Sequence, residues 1–133
     1  MLDVKIGFNN AVPIFQQIVE QMLSLIASGE LSPGERVPPV RQLAAKYQVN
    51  PNTMQKSLEK LGDMGFLYTE RTSGRFVTED LEKIAALRRE IPAGITANYI
   101  DEMGLVGIAP KEIPDYIDKF LKEREMNGKD SGN

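Results

Sequence analysis

Between Val40 and Leu61 the sequence carries two helical stripes separated by a single short interruption, and few folds accept that arrangement. Val40, Leu43, Ala44 and Tyr47 keep the three- and four-residue spacing of a helix of only about two turns. Gln48, Val49 and Asn50 break the pattern. Asn50 is a strong N-cap, because its side-chain oxygen satisfies a free amide of the turn that follows. Pro51 suits a first helical position, where its missing N–H has no partner in any case. A new helix therefore starts at Pro51. In it Met54, Leu58 and Leu61 fall on one side, which leaves Asn52, Lys56, Glu59 and Asp63 near the opposite side and Thr53 and Gln55 on the flanks.

The segments on either side complete the pattern. Ile14, Phe15, Ile18, Val19, Met22, Leu23 and Ile26 predict an amphipathic helix over residues 13–28, started by Pro13 and stopped at Gly29. Ser32 to Pro39 is too dense in Pro and Gly for a helix and reads as a turn-rich connector. After Gly65, the β-prone runs Phe66–Arg71 and Arg75–Thr78 are separated by Thr72-Ser73-Gly74, a hairpin in which Gly74 supplies the positive φ. Helix, helix, turn, helix, hairpin is the winged helix-turn-helix order, so the expected fold is mainly α with a small β-hairpin. Residues 80–103 read as a further helix through Leu81, Ile84, Leu87, Ile91, Ile95, Tyr99 and Met103, kinked near Pro92 and Gly94. Gly104 and Gly107 end it, and a last helix, opening at Pro110 or at Pro114, carries Ile113, Tyr116, Ile117, Phe120 and Leu121 on one face. The expected organisation is a winged-helix domain at 1–79, a two-helix region at 80–126 and a disordered tail at 127–133.

Composition removes most alternatives. A chain of 133 residues with 41% apolar content supports one core plus an appendage. It has no cysteine and no histidine, which excludes disulfide scaffolds, zinc fingers, thiol nucleophiles and every His-dependent triad. No catalytic residue, metal ligand or cofactor is expected. No window approaches the roughly 20 apolar residues of a bilayer span, and Asp3 interrupts any signal-peptide reading, so a cytoplasmic protein without a membrane partner is expected. The net charge of −3 argues mildly against nucleic acid as a ligand. A small basic face can nevertheless sit on an acidic body.

From Pro13-Ile14-Phe15-Gln16-Gln17-Ile18 to Gly74-Arg75-Phe76-Val77 the wording resembles the GntR family of bacterial winged-helix regulators. Between those ends Gly29-Glu30-Leu31-Ser32-Pro33-Gly34, VPPVRQLA at 37–44, VNPNT at 49–53, and Leu61 with Gly65 follow the family in order and spacing. An ordered series of this kind is far more specific than a single motif. VNPNT together with a short C-terminal region resembles the YtrA-like subfamily, whose two-helix tail serves dimerisation.

The resemblance implies a DNA-binding regulator, a homodimeric repressor of its own or neighbouring genes, including transporter genes. It maps Arg41 onto the arginine that opens the second helix and reaches DNA, and Asn52, Thr53 and Gln55 onto recognition-helix contacts. Lys56 lies beside them, and at the wing Gly74 matches the glycine that approaches the minor groove, flanked by Ser73 and Arg75. The chemistry agrees: Arg pairs with guanine or phosphate, Asn and Gln with adenine, Thr with phosphate or a thymine methyl. Four positions depart from the pattern. Pro39 replaces the usual Ser and removes a capping oxygen, Pro51 and Gln55 stand where arginines are common, and Thr72 replaces a frequent glycine. The apolar stripes of the C-terminal helices, Ile95, Tyr99, Met103, Ile113, Tyr116, Ile117, Phe120 and Leu121, cannot both be buried by one copy, so they are expected to pair two. Two heads then require operator DNA with an inverted repeat. Any small-molecule effector would have to bind between helices or at the dimer interface. The acidic balance leaves one reading of another class, a winged-helix protein-interaction module without specific DNA binding.

Overall fold

The computed structural model describes residues 12–130. Its elements are α1 (Ile14–Ser28), α2 (Val40–Tyr47), α3 (Pro51–Asp63), β1 (Leu67–Glu70), β2 (Gly74–Val77), α4 (Leu81–Leu105), a 3-10 turn (Pro110–Glu112) and α5 (Ile113–Asp130). The chain divides into two compact units at Ile91 and Pro92. That boundary lies beyond the expected one at 79, because Leu87 is buried in the first core and Ile84 and Ile91 pack against it. The start of α4 belongs to the first unit. Residues 1–11 and 131–133 of the expected domains lie outside the described residues.

In the first unit α1, α2 and α3 enclose one apolar core. Ile18, Met22 and Ile26 from α1, Leu43 and Tyr47 from α2, and Met54, Leu58 and Leu61 from α3 are all at most 1% exposed. These are the positions the helical spacing selects. Ser57 is buried among them, and its hydroxyl reaches the carbonyls of Phe15 at 3.1 Å and Thr53 at 3.0 Å. One small polar residue thus fastens α3 to α1.

Local chemistry sets the helix ends. α1 begins at Ile14 with Pro13 just outside it, and stops at Gly29, whose φ of 87° needs no Cβ. The turn between α2 and α3 is made by Gln48 in the left-handed region, φ 58°. Val49 N–H returns to the Ala44 carbonyl at 3.0 Å and Gln48 N–H to Ala45 at 3.2 Å, a Schellman closure built without glycine.

The wing is an antiparallel pair with register Leu67↔Val77, Tyr68↔Phe76, Thr69↔Arg75 and Glu70↔Gly74. The connector after α1 adds an isolated antiparallel bridge to β2 that the sequence reading missed. Val37 N–H donates to the Arg75 carbonyl at 2.8 Å, Val77 N–H to Glu35 at 2.9 Å, and Arg36 bridges Phe76. Leu67 and Val77 face the core, while Tyr68 and Phe76 stack on the other face with ring centroids 5.6 Å apart.

α4 continues through Pro92. The proline removes the bond to the Arg88 carbonyl, and Thr96 Oγ1 donates to the Pro92 carbonyl at 2.8 Å within the same turn. The helix closes at Gly107, φ 85°, with Ile108 N–H on Met103 at 3.0 Å. Pro110 opens a 3-10 turn in which Glu112 reaches back to the Ala109 N–H at 2.8 Å, and α5 follows from Ile113 with Pro114 in its first turn. α5 runs on to Asp130, so residues 127–130 of the expected tail are helical. Extending a formed helix through Gly128 costs only about 1 kcal/mol of propensity, a small sum once the preceding turns exist.

The Tyr47 hydroxyl is buried without a partner among the described residues, and burial pushes its pKa from 10.0 to about 12. A lone buried hydroxyl costs desolvation energy that a ring alone does not. Tyr47→Phe should therefore unfold in urea at the same or a higher midpoint, by up to about 1 kcal/mol. The raised value favours the neutral form in the folded state. The wild type should lose stability as pH climbs from 10.0 toward about 12, where the unfolded chain ionises first, and the variant should escape that loss.

Candidate nucleic-acid interface

The start of α3 is built by two residues. Asn50 is extended, φ −62° and ψ 137°, and its Oδ1 accepts from the Asn52 N–H at 2.7 Å, while Pro51 occupies the first turn. The cap frees the following side chains from any capping duty. Asn52 and Lys56 are exposed, and Thr53 and Gln55 are half-buried on the flanks, as the spacing predicts. Gln55 Nε2 donates to Glu59 Oε1 one turn on, at 2.9 Å. The Lys56 ammonium lies 4.0 Å from the centre of the Phe15 ring on α1. Asn52, Thr53 and Lys56 share a shallow hollow of about 360 Å³ with Ile14 and Phe15.

Arg41 stands exposed in the first turn of α2. Pro39 precedes that helix with no side-chain cap, as its replacement of a serine implies. A cation at this end opposes the helix dipole, so folding does not account for it. Arg41, Arg36 and Arg75 have no carboxylate partner among the described residues. Their charges are left without an ion pair on a chain of net charge −3.

At the wing, Ser73 is exposed, Arg75 is half-buried, and Gly74 has φ 106°. A Cβ on Gly74 would stand 3.3 Å from Arg36 Nε and 3.5 Å from Nη2. The glycine therefore serves both the turn and the close passage of a guanidinium. Arg36 was not among the expected contacts. Its signal was the alternation Glu35-Arg36-Val37 ahead of Pro38, hidden by the surrounding turn residues. Glu59 was seen only as part of the solvated side of α3.

Seven of the eight residues expected at a pairing face lack full burial in the second unit. Tyr99, Met103, Tyr116, Ile117, Phe120 and Leu121 line one groove of about 590 Å³ with Val106, Ile108 and Arg124. Ile95 is 64% exposed and lies outside that lining. Ile113 differs from the rest of the expected pairing face: at the start of α5 it is only 6% exposed, so it is already buried in the single chain. Among the described residues no group of His, Cys, Asp and Glu is placed to hold a metal ion, and no helix is long and apolar enough to cross a membrane.

Residues 14–77 match the bacterial regulatory proteins, gntR family. The chain is 29% identical over 115 residues to the uncharacterized HTH-type transcriptional regulator YhcF of Bacillus subtilis, covering 86% of this chain and 95% of that protein. It is 35% identical over 77 residues to the HTH-type transcriptional repressor YtrA of the same organism, covering 58% of this chain and 59% of the relative. Among solved structures, a GntR family transcriptional regulator from Listeria monocytogenes superposes with a TM-score of 0.76 at 35% identity, over 84% of this chain and 98% of the other. With a third helix capped at Asn50, a helix presenting Arg41 before it and a wing turned at Gly74, this chain belongs to the GntR family of winged helix-turn-helix DNA-binding transcriptional regulators.

Proposed function

We propose that the chain works as a cytoplasmic homodimer that represses its own or neighbouring genes by occupying an inverted-repeat operator. The observation that carries this reading is that Arg41 in the first turn of α2 and Arg36 and Arg75 at the wing stand without ion pairs among the described residues, on a protein of net charge −3. Asn52, Thr53 and Gln55 supply amide and hydroxyl groups for base edges in the major groove, and Arg41 and Lys56 supply charge for phosphate or guanine. Ser73, Gly74 and Arg75 meet the minor groove or its phosphates. The apolar groove of Tyr99, Met103, Tyr116, Ile117, Phe120 and Leu121 receives a second copy, because apolar surface of this extent is seldom left in water. Two heads then address half-sites about one helical turn, roughly 34 Å, apart.

Gel-shift titration of the chain's own promoter against random duplex at several salt concentrations tests the reading. Preference for the promoter and affinity that falls steeply with salt are expected. Affinity that ignores salt, or no preference, would instead favour a protein-interaction module. Arg41→Ala should lower promoter affinity by about 5- to 100-fold and reduce the salt slope by about 1, with the dimer intact by light scattering. Wild-type affinity in that variant would remove Arg41 from the interface.

A further inference from the structure

Gln55 stands where a guanidinium would read a base directly, and its amide is already engaged. Nε2 donates to Glu59 Oε1 at 2.9 Å along the exposed side of α3. A carboxylate only accepts hydrogen bonds, so it fixes which end of the amide faces it. The nitrogen turns toward Glu59, and the carbonyl oxygen Oε1 is left at the free end. The cation best placed to compete for Glu59 is Lys56, three residues before it, and that ammonium lies over the Phe15 ring instead. Glu59 has no ion-pair partner among the described residues.

We propose that Glu59 is a specificity-determining positioning residue: it holds Gln55 so that an acceptor oxygen meets the base edge. This rests on the reading of Gln55 as a contact in the major groove. There adenine N6 and cytosine N4 are donors, whereas guanine offers only N7 and O6 and thymine offers O4, all of them acceptors. An outward carbonyl therefore favours adenine or cytosine at the base it meets and disfavours guanine and thymine. A free glutamine amide flips to suit either chemistry and discriminates less. Glu59 also brings a negative charge toward the phosphates, which weakens binding to every sequence alike. Retaining it costs affinity in general and gains selectivity at one position.

The test compares binding of the full chain, its Gln55→Ala variant and its Glu59→Gln variant to a library of duplexes carrying all four bases at each operator position. Gln55→Ala should flatten the preference at one position, and the wild type should favour adenine or cytosine there. Glu59→Gln keeps the size and exposure of the side chain but accepts or donates, so it lets the amide flip. It should cut discrimination at that same position by about fivefold or more, while preferences elsewhere hold and overall affinity rises. A uniform rise with unchanged base ratios would overturn the proposal and leave Gln55 as a contact. A library profile that Gln55→Ala leaves untouched would overturn both, by removing Gln55 from the base edges.

Discussion

Phe120→Glu is expected to give a folded monomer that binds the operator about a hundredfold or more weakly than the wild type. Tyr116, Ile117, Phe120 and Leu121 follow one another along α5 at 42%, 44%, 57% and 62% exposure. A charge placed there lies in water in the single chain and costs the fold little. Between two copies it would be stripped of water with no partner, a penalty of several kcal/mol that a small dimer does not survive. The loss of affinity then follows from linkage alone, since a tethered second head binds at a high effective concentration and a free one does not. Light scattering with a matched gel shift checks both halves. A variant that remains dimeric at the wild-type concentration would place the pairing face elsewhere.

Leu58→Ala should lower the stability of the reading unit by about 2–5 kcal/mol, seen as a lower urea midpoint with an unchanged slope. Leu58 is 1% exposed and sits in the core to which α1, α2 and α3 all contribute. Truncating it removes the transfer energy of the lost methyl groups and leaves a cavity that the three packed helices close only in part. Domains of this kind have about 5–15 kcal/mol in hand, so the variant approaches the edge of folding. Operator affinity measured well below the melting temperature should change far less than in Arg41→Ala. A drop under about 1 kcal/mol would mean that the core repacks freely around α3.

The reading unit was legible because its signals are local and agree with one another. Asn50-Pro51 names the start of α3, the Val40 to Tyr47 stripe gives α2 to the residue, and Gly74 turns the wing. The parts that escaped depend on partners distant in sequence. The bridge at Glu35 to Val37 exists only because β2 lies beside it, so its own composition reads as loop. Ser57 looks like an ordinary helical polar residue until Phe15, which accepts its hydrogen bond, arrives from α1. The domain boundary moved to Pro92 for the same reason, since burial of Leu87 is decided by the core it enters. At the site, residue types were readable and their engagement was not. The i, i+4 spacing brings Gln55 and Glu59 within reach without saying which end of the amide would engage, and nothing in the spacing said that Lys56 would cover Phe15.

The bridge that joins the connector to the wing also bears on how operators are told apart. Only the stretch from Val37 to Arg41 separates a residue hydrogen-bonded to β2 from the first turn of α2, so wing and helices cannot be aimed independently. Such a head behaves like a chelating ligand: the entropy of orienting it is lost once, and each arm that engages holds the other in place. Base changes beneath the wing and beneath α3 should then weaken binding by less together than the sum of their separate effects, because the first already forfeits the orientation that the arms share.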